Sequence, residues 1–284
     1  MKKKDLAFYT RASQNLIAIH HLKDLLTRLQ KKRPEILFFR GISLLGDVYA
    51  SMGERGMFDV DILVRERDLG ILKKVLKGTG LKETEPGTFD KKGLSLDLHT
   101  SFLNSTRAIL ERSCLRISIE DVFRRSVTKE LDGMEIKILC PEHLFISTAI
   151  HLQSHSFHGE NGWEDLMRIK SFYGLSDGRI LSEAKQLGAE QTLAYLSFLR
   201  PDLFPSWRGR LSLGKRWILT RIRNGTYNQN FGDLLFLFQS KKKGMALQEI
   251  FFPHGISFRV IGDRVRKCLI LMRDIFSRSR VVAP

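Results

Sequence analysis

Leu16, Ile19, Leu22, Leu25, Leu26 and Leu29 recur at helical spacing, so residues 5–31 are predicted to form a helix that ends before Pro34. Ile36-Leu37-Phe38-Phe39 is a short apolar run suited to a buried strand, and Gly41 interrupts it. Residues 43–52 read as one helix, and Gly53-Glu54-Arg55-Gly56 as a loop. From Phe58 to Val64 the period becomes two: Phe58, Val60 and Ile62 alternate with Asp59 and Asp61, which predicts a strand with its apolar side packed inward. Residues 66–77 carry Leu69, Leu72, Val75 and Leu76 on one helical face. Pro86-Gly87 marks a hairpin, and residues 93–100 return as a strand with Leu94, Leu96 and Leu98 opposite Ser95, Asp97 and His99. Residues 136–139 form the last expected strand, and Pro141 suits the first turn of a following helix. The pattern is then helical, with loops at 174–178 and 201–209, and 277–284 is expected to fray.

This order predicts an α+β fold: a small mixed sheet flanked by helices, followed by a mostly helical C-terminal domain. The expected divisions are a helical segment at 1–33, a mixed domain at 34–140 and a helical domain at 141–284.

The two alternating strands carry the candidate chemistry. Asp59 and Asp61 share one strand face, about 7 Å apart along the chain. Neighbouring carboxylates repel, and a cation between them relieves the repulsion; a solvent-facing strand edge is the plainer alternative. If the strand bearing Asp97 pairs with theirs, three carboxylates meet. Such a set can hold two hard cations about 4 Å apart, the arrangement used for phosphoryl or nucleotidyl transfer. Asp97 would then bind the metal nearest the acceptor hydroxyl and could take its proton. His99 points the same way, with a hydrogen bond that steadies a neighbouring acid as its favoured role. Upstream, Arg40-Gly41-Ile42-Ser43 joins a strand to a helix whose free N–H groups suit phosphate oxygens, although Ser43 is equally explained as a cap. Arg55 could clamp a triphosphate.

Charge narrows the partners. The 284 residues carry a formal net charge of +16. Residues 1–40 contribute +7, residues 41–199 contribute −3 and residues 200–284 contribute +12. Basic flanks around a near-neutral middle suit an anion: a nucleotide, a nucleic acid or an acidic membrane surface, with simple solvation as the even alternative. No apolar run is long enough to span a bilayer, and Met1-Lys-Lys-Lys-Asp5 has no apolar stretch behind it to make a signal peptide. Three scattered cysteines give no disulfide framework, so a cytoplasmic location with reduced thiols is expected.

Phe39-Arg40-Gly41, then Arg55-Gly-Met-Phe-Asp59-Val-Asp61-Ile-Leu-Val64, then Leu96-Asp97-Leu98-His99, resemble the uncharacterised bacterial nucleotidyltransferase family of the DNA-polymerase-β-like superfamily. In that family a Lys-Gly element precedes Arg-x-x-x-Asp-Ile-Asp-Leu-Leu-Val, and an Asp-Leu-His strand follows. The resemblance continues through His151-Leu-Gln-Ser-His155 and Trp163-Glu-Asp165-Leu, and covers roughly residues 36–170. It implies Asp59, Asp61 and Asp97 as metal ligands and catalytic residues; Arg40, Gly41, Ser43 and Arg55, read from the residues themselves, are the expected nucleotide-binding set. Arg40 stands where the family usually has Lys, and the hydroxyl expected directly after the glycine comes one residue later, at Ser43.

Two further groups need weighing. His151, His155 and His158 fall on one helical face and could hold a transition metal, but no glutamate lies between the first two, and a structural role lining an interface or cleft is favoured. Arg210, Lys215, Arg216, Arg221 and Arg223 are spread along the C-terminal third with Trp207 and Trp217. Solvated basic faces are the favoured reading there, ahead of RNA or peripheral membrane contact.

The expected activity is metal-dependent transfer of a nucleoside monophosphate from a triphosphate such as ATP to an unidentified hydroxyl acceptor, with release of pyrophosphate. Two magnesium ions, replaceable by manganese, are the expected cofactors. The alternatives are a non-catalytic nucleotide- or anion-binding module on the same fold and an RNA-directed transferase.

Overall fold

The computed structural model describes residues 3–30, 34–102, 113–159, 161–207, 209–225 and 231–240. The expectation of a frayed 277–284 lies outside them. The described residues form a mixed seven-stranded sheet flanked by helices, followed by a helical region. The strands are β1 (Ile36–Phe39), β2 (Val60–Val64), β3 (Lys82–Glu85), β4 (Thr88–Lys91), β5 (Leu94–His99), β6 (Val127–Leu131) and β7 (Met134–Ile138). Their order is β3-β4-β5-β2-β1-β7-β6. β2 runs antiparallel to β1 and parallel to β5, and β7 runs parallel to β1.

β2 lies in the middle, and all five of its residues are buried, including Asp61. A central strand covered on both faces needs apolar residues on both, so Asp61 is a buried carboxylate that requires a partner and not part of a solvated edge. One face is covered by α1 (Lys3–Gln30) and α3 (Glu66–Gly78). α1 buries Ala18, Ile19, Leu22, Leu25 and Leu29, and α3 buries Leu72, Val75 and Leu76. Leu16, which shares their helical spacing, is half exposed.

The helix expected over 43–52 is not formed. α2 spans only Gly41–Leu44, and the chain then turns so that Leu45 bridges to Tyr49. Gly46, at φ 86°, makes that turn, and Asn15 of α1 holds the segment after it, donating from Nδ2 to Met52 O and Arg55 O, each at 2.8 Å. The sequence reading also lacked β6. Its turn to β7 is Asp132-Gly133, both at positive φ, the two-residue connection that matches strand twist.

The remaining helices are α4 (Ile119–Arg124), α5 (Pro141–Ser154), α6 (Gly162–Phe172), α7 (Asp177–Leu187), α8 (Glu190–Leu199), α9 (Leu213–Arg223) and α10 (Phe231–Gln239). Pro141 occupies the first turn of α5, as expected. α5 is buried along nearly its whole length because α6, α7, α8 and α10 all pack on it. Among the described residues no helix is long and apolar enough to cross a membrane.

Candidate active site

The parallel pairing of β2 and β5 places Asp61 directly beside Asp97, and Leu63 beside His99. Asp61, Asp97 and His99 therefore share one sheet face, with ligand atoms all within 4.8 Å of one another. Phe39, paired with Asp61 from β1, packs its ring edge-on against His99 at 5.1 Å. His99 Nε2 lies 2.8 Å from Asp61 Oδ1, the steadying contact expected of it.

The same Asp61 oxygen accepts a second bond, from Arg40 Nη1 at 2.6 Å. Arg40 Nη2 donates to Phe102 O at 2.7 Å, and its guanidinium sits 4.7 Å from the centre of the Phe39 ring. Burial alone would raise the Asp61 carboxyl, but Arg40 and His99 outweigh it and hold its pKa well below the usual carboxylate range. The backbone of Arg40 is strained, at φ 57° and ψ −132°, where non-glycine residues rarely sit. That sharp corner between β1 and α2 turns the guanidinium back onto Asp61.

Asp59 stands just before β2, exposed at the rim. Although the residue as a whole is exposed, its carboxyl lies close to Asp61 and Asp97, and partial loss of water there, then those two charges, push its pKa up to about 6. Phe58, expected to pack inward, is 92% exposed. The strand begins only at Val60, so Phe58 is free of the alternation that would bury it.

Asp59 and Asp61 face a cleft of about 480 Å³ between this end of the sheet and α5–α6, whereas Asp97, beside Asp61, does not line it. Arg40, Gly41, Arg55, Phe58, Asp59 and Asp61 line one side; His151, His155, His158, Asn161 and Asp165 line the other. The three histidines thus reach the cleft, as the favoured sequence reading had it. His151 and His155 stack edge to face at 4.5 Å. His151 is held neutral: burial first, then Arg40 and His155, depress its pKa well below 6.5.

The expected phosphate binders separate into two groups. Arg40 and Gly41 line the cleft. A Cβ on Gly41 would meet Arg55 Nη1 at 2.7 Å and Met57 Cγ at 3.2 Å, so glycine allows the 55–57 segment to lie across it. Ser43 is fully buried and donates from Oγ to Arg40 O at 2.6 Å; it lies inside α2, whose N-cap is Arg40, so it neither caps the helix nor lines the cleft. Arg55 grips Asp165 of α6 in a two-pronged pair, Nε to Oδ1 at 2.9 Å and Nη2 to Oδ2 at 2.8 Å. Tyr49 Oη donates to the same carboxylate at 2.8 Å. Asp165 therefore ties the loop before β2 to the helical region. Nothing in the alternation of the chain singles it out; only the Trp163-Glu-Asp165-Leu resemblance touched it.

The donor set fits a divalent cation. Asp97 Oδ1 is buried with no hydrogen-bond partner, and a cation beside it would satisfy it. Two carboxylates and an imidazole are ligands that magnesium, manganese and related ions accept.

A family described as uncharacterised nucleotidyltransferase matches residues 4–205, and the chain belongs to it. Searches of curated proteins and of solved structures return no significant match.

Proposed function

We propose that the protein transfers a nucleoside monophosphate from a nucleoside triphosphate to a hydroxyl acceptor, as a member of the DNA-polymerase-β-like superfamily. The observation that carries this reading is the register of β2 and β5, which sets Asp61, a cleft-lining residue, beside the buried, partnerless oxygen of Asp97. Asp59, Asp61 and Asp97 would hold the divalent cations, with His99 fixing the Asp61 carboxylate. When bound, the cations neutralise charge on the triphosphate and on the attacking oxygen.

Arg40, beside Gly41, is placed to exchange its contact with Asp61 for one with a phosphate oxygen. Ser43 supports the Arg40 carbonyl from behind, and Arg55 acts chiefly by fixing the loop through Asp165. The exposed Phe58 ring offers a face on which a base can stack. The acceptor oxygen attacks the α-phosphorus, the bond to the bridging oxygen breaks, and pyrophosphate leaves. Asp97 takes the hydroxyl proton.

The Arg40–Asp61 pair favours one other reading, a non-catalytic anion-binding module in which the guanidinium stands where a cation would. The experiment that separates the two is incubation with each α-labelled triphosphate, magnesium or manganese, and cell extract as the acceptor source. Label transfer that is lost in Asp97→Asn is expected. Tight triphosphate binding without transfer of any label would favour the module.

A further inference from the structure

The family match ends at residue 205, and the chain beyond it is strongly basic. Along the sequence these cations look dispersed. The fold gathers three of them. α8 and α9 pack together, and the segment joining them leaves a groove of about 650 Å³ that shares no lining residue with the cleft. Ala194, Ser197 and Phe198 of α8 form one wall. Arg210 comes from the connection, and Arg216 and Arg223 from α9. The last two stand about two helical turns apart and so project from one face.

These arginines are exposed, and among the described residues no carboxylate pairs with any of them or lines the groove. Arg200, close by in sequence, is by contrast neutralised by Asp202. Arg223 lies 5.0 Å from the centre of the Phe198 ring. Trp217, next to Arg216 on α9, is 40% exposed, with the Arg221 guanidinium 5.1 Å from its ring. Forked cations spaced along a groove match successive phosphates, and an exposed indole beside them matches a base. Residues 241–284 carry ten basic and three acidic side chains, so that segment is no electrostatic complement to the groove.

We propose that this groove binds single-stranded nucleic acid, with Arg210, Arg216 and Arg223 on the phosphates and with Trp217, which stands beside Arg216 outside the groove lining, stacking on a base beyond its edge. Three positive charges converging on a recessed groove suit a flexible polyanion strand better than a flat anionic surface. The inference is independent of nucleotidyl transfer, because it is read from binding alone.

The test is fluorescence anisotropy of a labelled single-stranded RNA against the full chain across a potassium chloride series. Wild type should bind with an affinity that falls steeply with salt. The triple variant Arg210→Gln, Arg216→Gln, Arg223→Gln should bind at least tenfold more weakly at low salt. Its log–log salt slope should be shallower by about 2, since each phosphate contact on a single strand contributes roughly 0.7. Trp217→Ala should weaken binding with the slope unchanged. A control variant that removes three exposed cations elsewhere, Lys74→Gln, Lys82→Gln, Lys92→Gln, should bind like wild type. All six positions are exposed, so thermal melting should confirm an intact fold in each variant. No RNA binding by wild type would overturn the proposal. So would an equal loss in the control variant, or a loss confined to phosphatidylserine vesicles with RNA binding retained.

Discussion

Arg40 and His99 converge on one oxygen of Asp61, the guanidinium at 2.6 Å and the imidazole at 2.8 Å, while Asp97, its neighbour on β5, keeps an oxygen without a partner. The two carboxylates are thus unequal. Asp61 is a structural hub in the metal-free protein, and Asp97 is not. A cation entering the site competes with Arg40 for Asp61 but meets no competitor at Asp97.

The inequality separates two substitutions. Asp97→Asn should abolish the rise in melting temperature that manganese and a triphosphate give to wild type, with metal-free stability little changed. Asp61→Asn should lose that rise and also melt earlier without metal, because a buried guanidinium is left with a weaker acceptor. Thermal denaturation with and without the ligands reads both. A ligand-induced shift of wild-type size in Asp97→Asn would remove this site from metal binding.

Asp59 sets a pH dependence. Its pKa stands at about 6 against a usual 3.8, with loss of water first and the neighbouring carboxylates second as causes. Folding therefore favours the protonated form, and this residue's contribution to metal-free stability is lost as pH rises from near 4 to about 6. Metal binding runs the other way, because the proton must leave. Manganese affinity, measured by calorimetry, should fall as pH drops below about 6, and Asp59→Asn should flatten that part of the profile. An unchanged profile in the variant would assign the dependence to another group.

Much of this arrangement is legible in the chain. Alternation places Asp61 on one face of its strand and Asp97 with His99 on one face of theirs, because period-two patterning is a local property. What the sequence lacks is the partner of each group. Arg40 is equally compatible with a phosphate and with Asp61; only the strained turn before α2 decides where the guanidinium goes. Arg55 finds Asp165 across 110 residues, a contact no local pattern encodes. Phe58 was misplaced because alternation was extended two residues beyond the start of β2, to where no strand neighbour enforces it. β6 did carry a local signal, the Asp132-Gly133 turn, although the exposed Val127 and the charged Lys129 and Glu130 obscure its strand period.

Asp165 anchors the loop that leads into Asp59 by accepting from both Arg55 and Tyr49. Asp165→Ala leaves a largely buried guanidinium unpaired and a buried hydroxyl without its acceptor. The expected cost is about 3–5 kcal/mol of stability, read by urea denaturation. Asp165→Asn, which keeps an acceptor oxygen, should cost less. A loss under about 1 kcal/mol in Asp165→Ala would mean that the loop is held chiefly by Asn15 and Arg11 from α1.

Phe58 offers the most direct check on where a base would sit. Its ring is 92% exposed next to Asp59, and it lines the cleft together with two adjoining cavities of about 300 and 480 Å³. So exposed a side chain contributes little to folding, so Phe58→Ala should leave the melting temperature close to wild type. Stacking on an aromatic ring is worth about 1–3 kcal/mol per base, so triphosphate affinity in the presence of manganese should weaken by about tenfold to a hundredfold. Phe58→Tyr keeps the ring and should bind like wild type. Inorganic triphosphate, which has no base, should bind the wild type and Phe58→Ala equally. If Phe58→Ala binds the nucleotide as tightly as wild type, the base lies elsewhere and the ring is only an exposed surface residue.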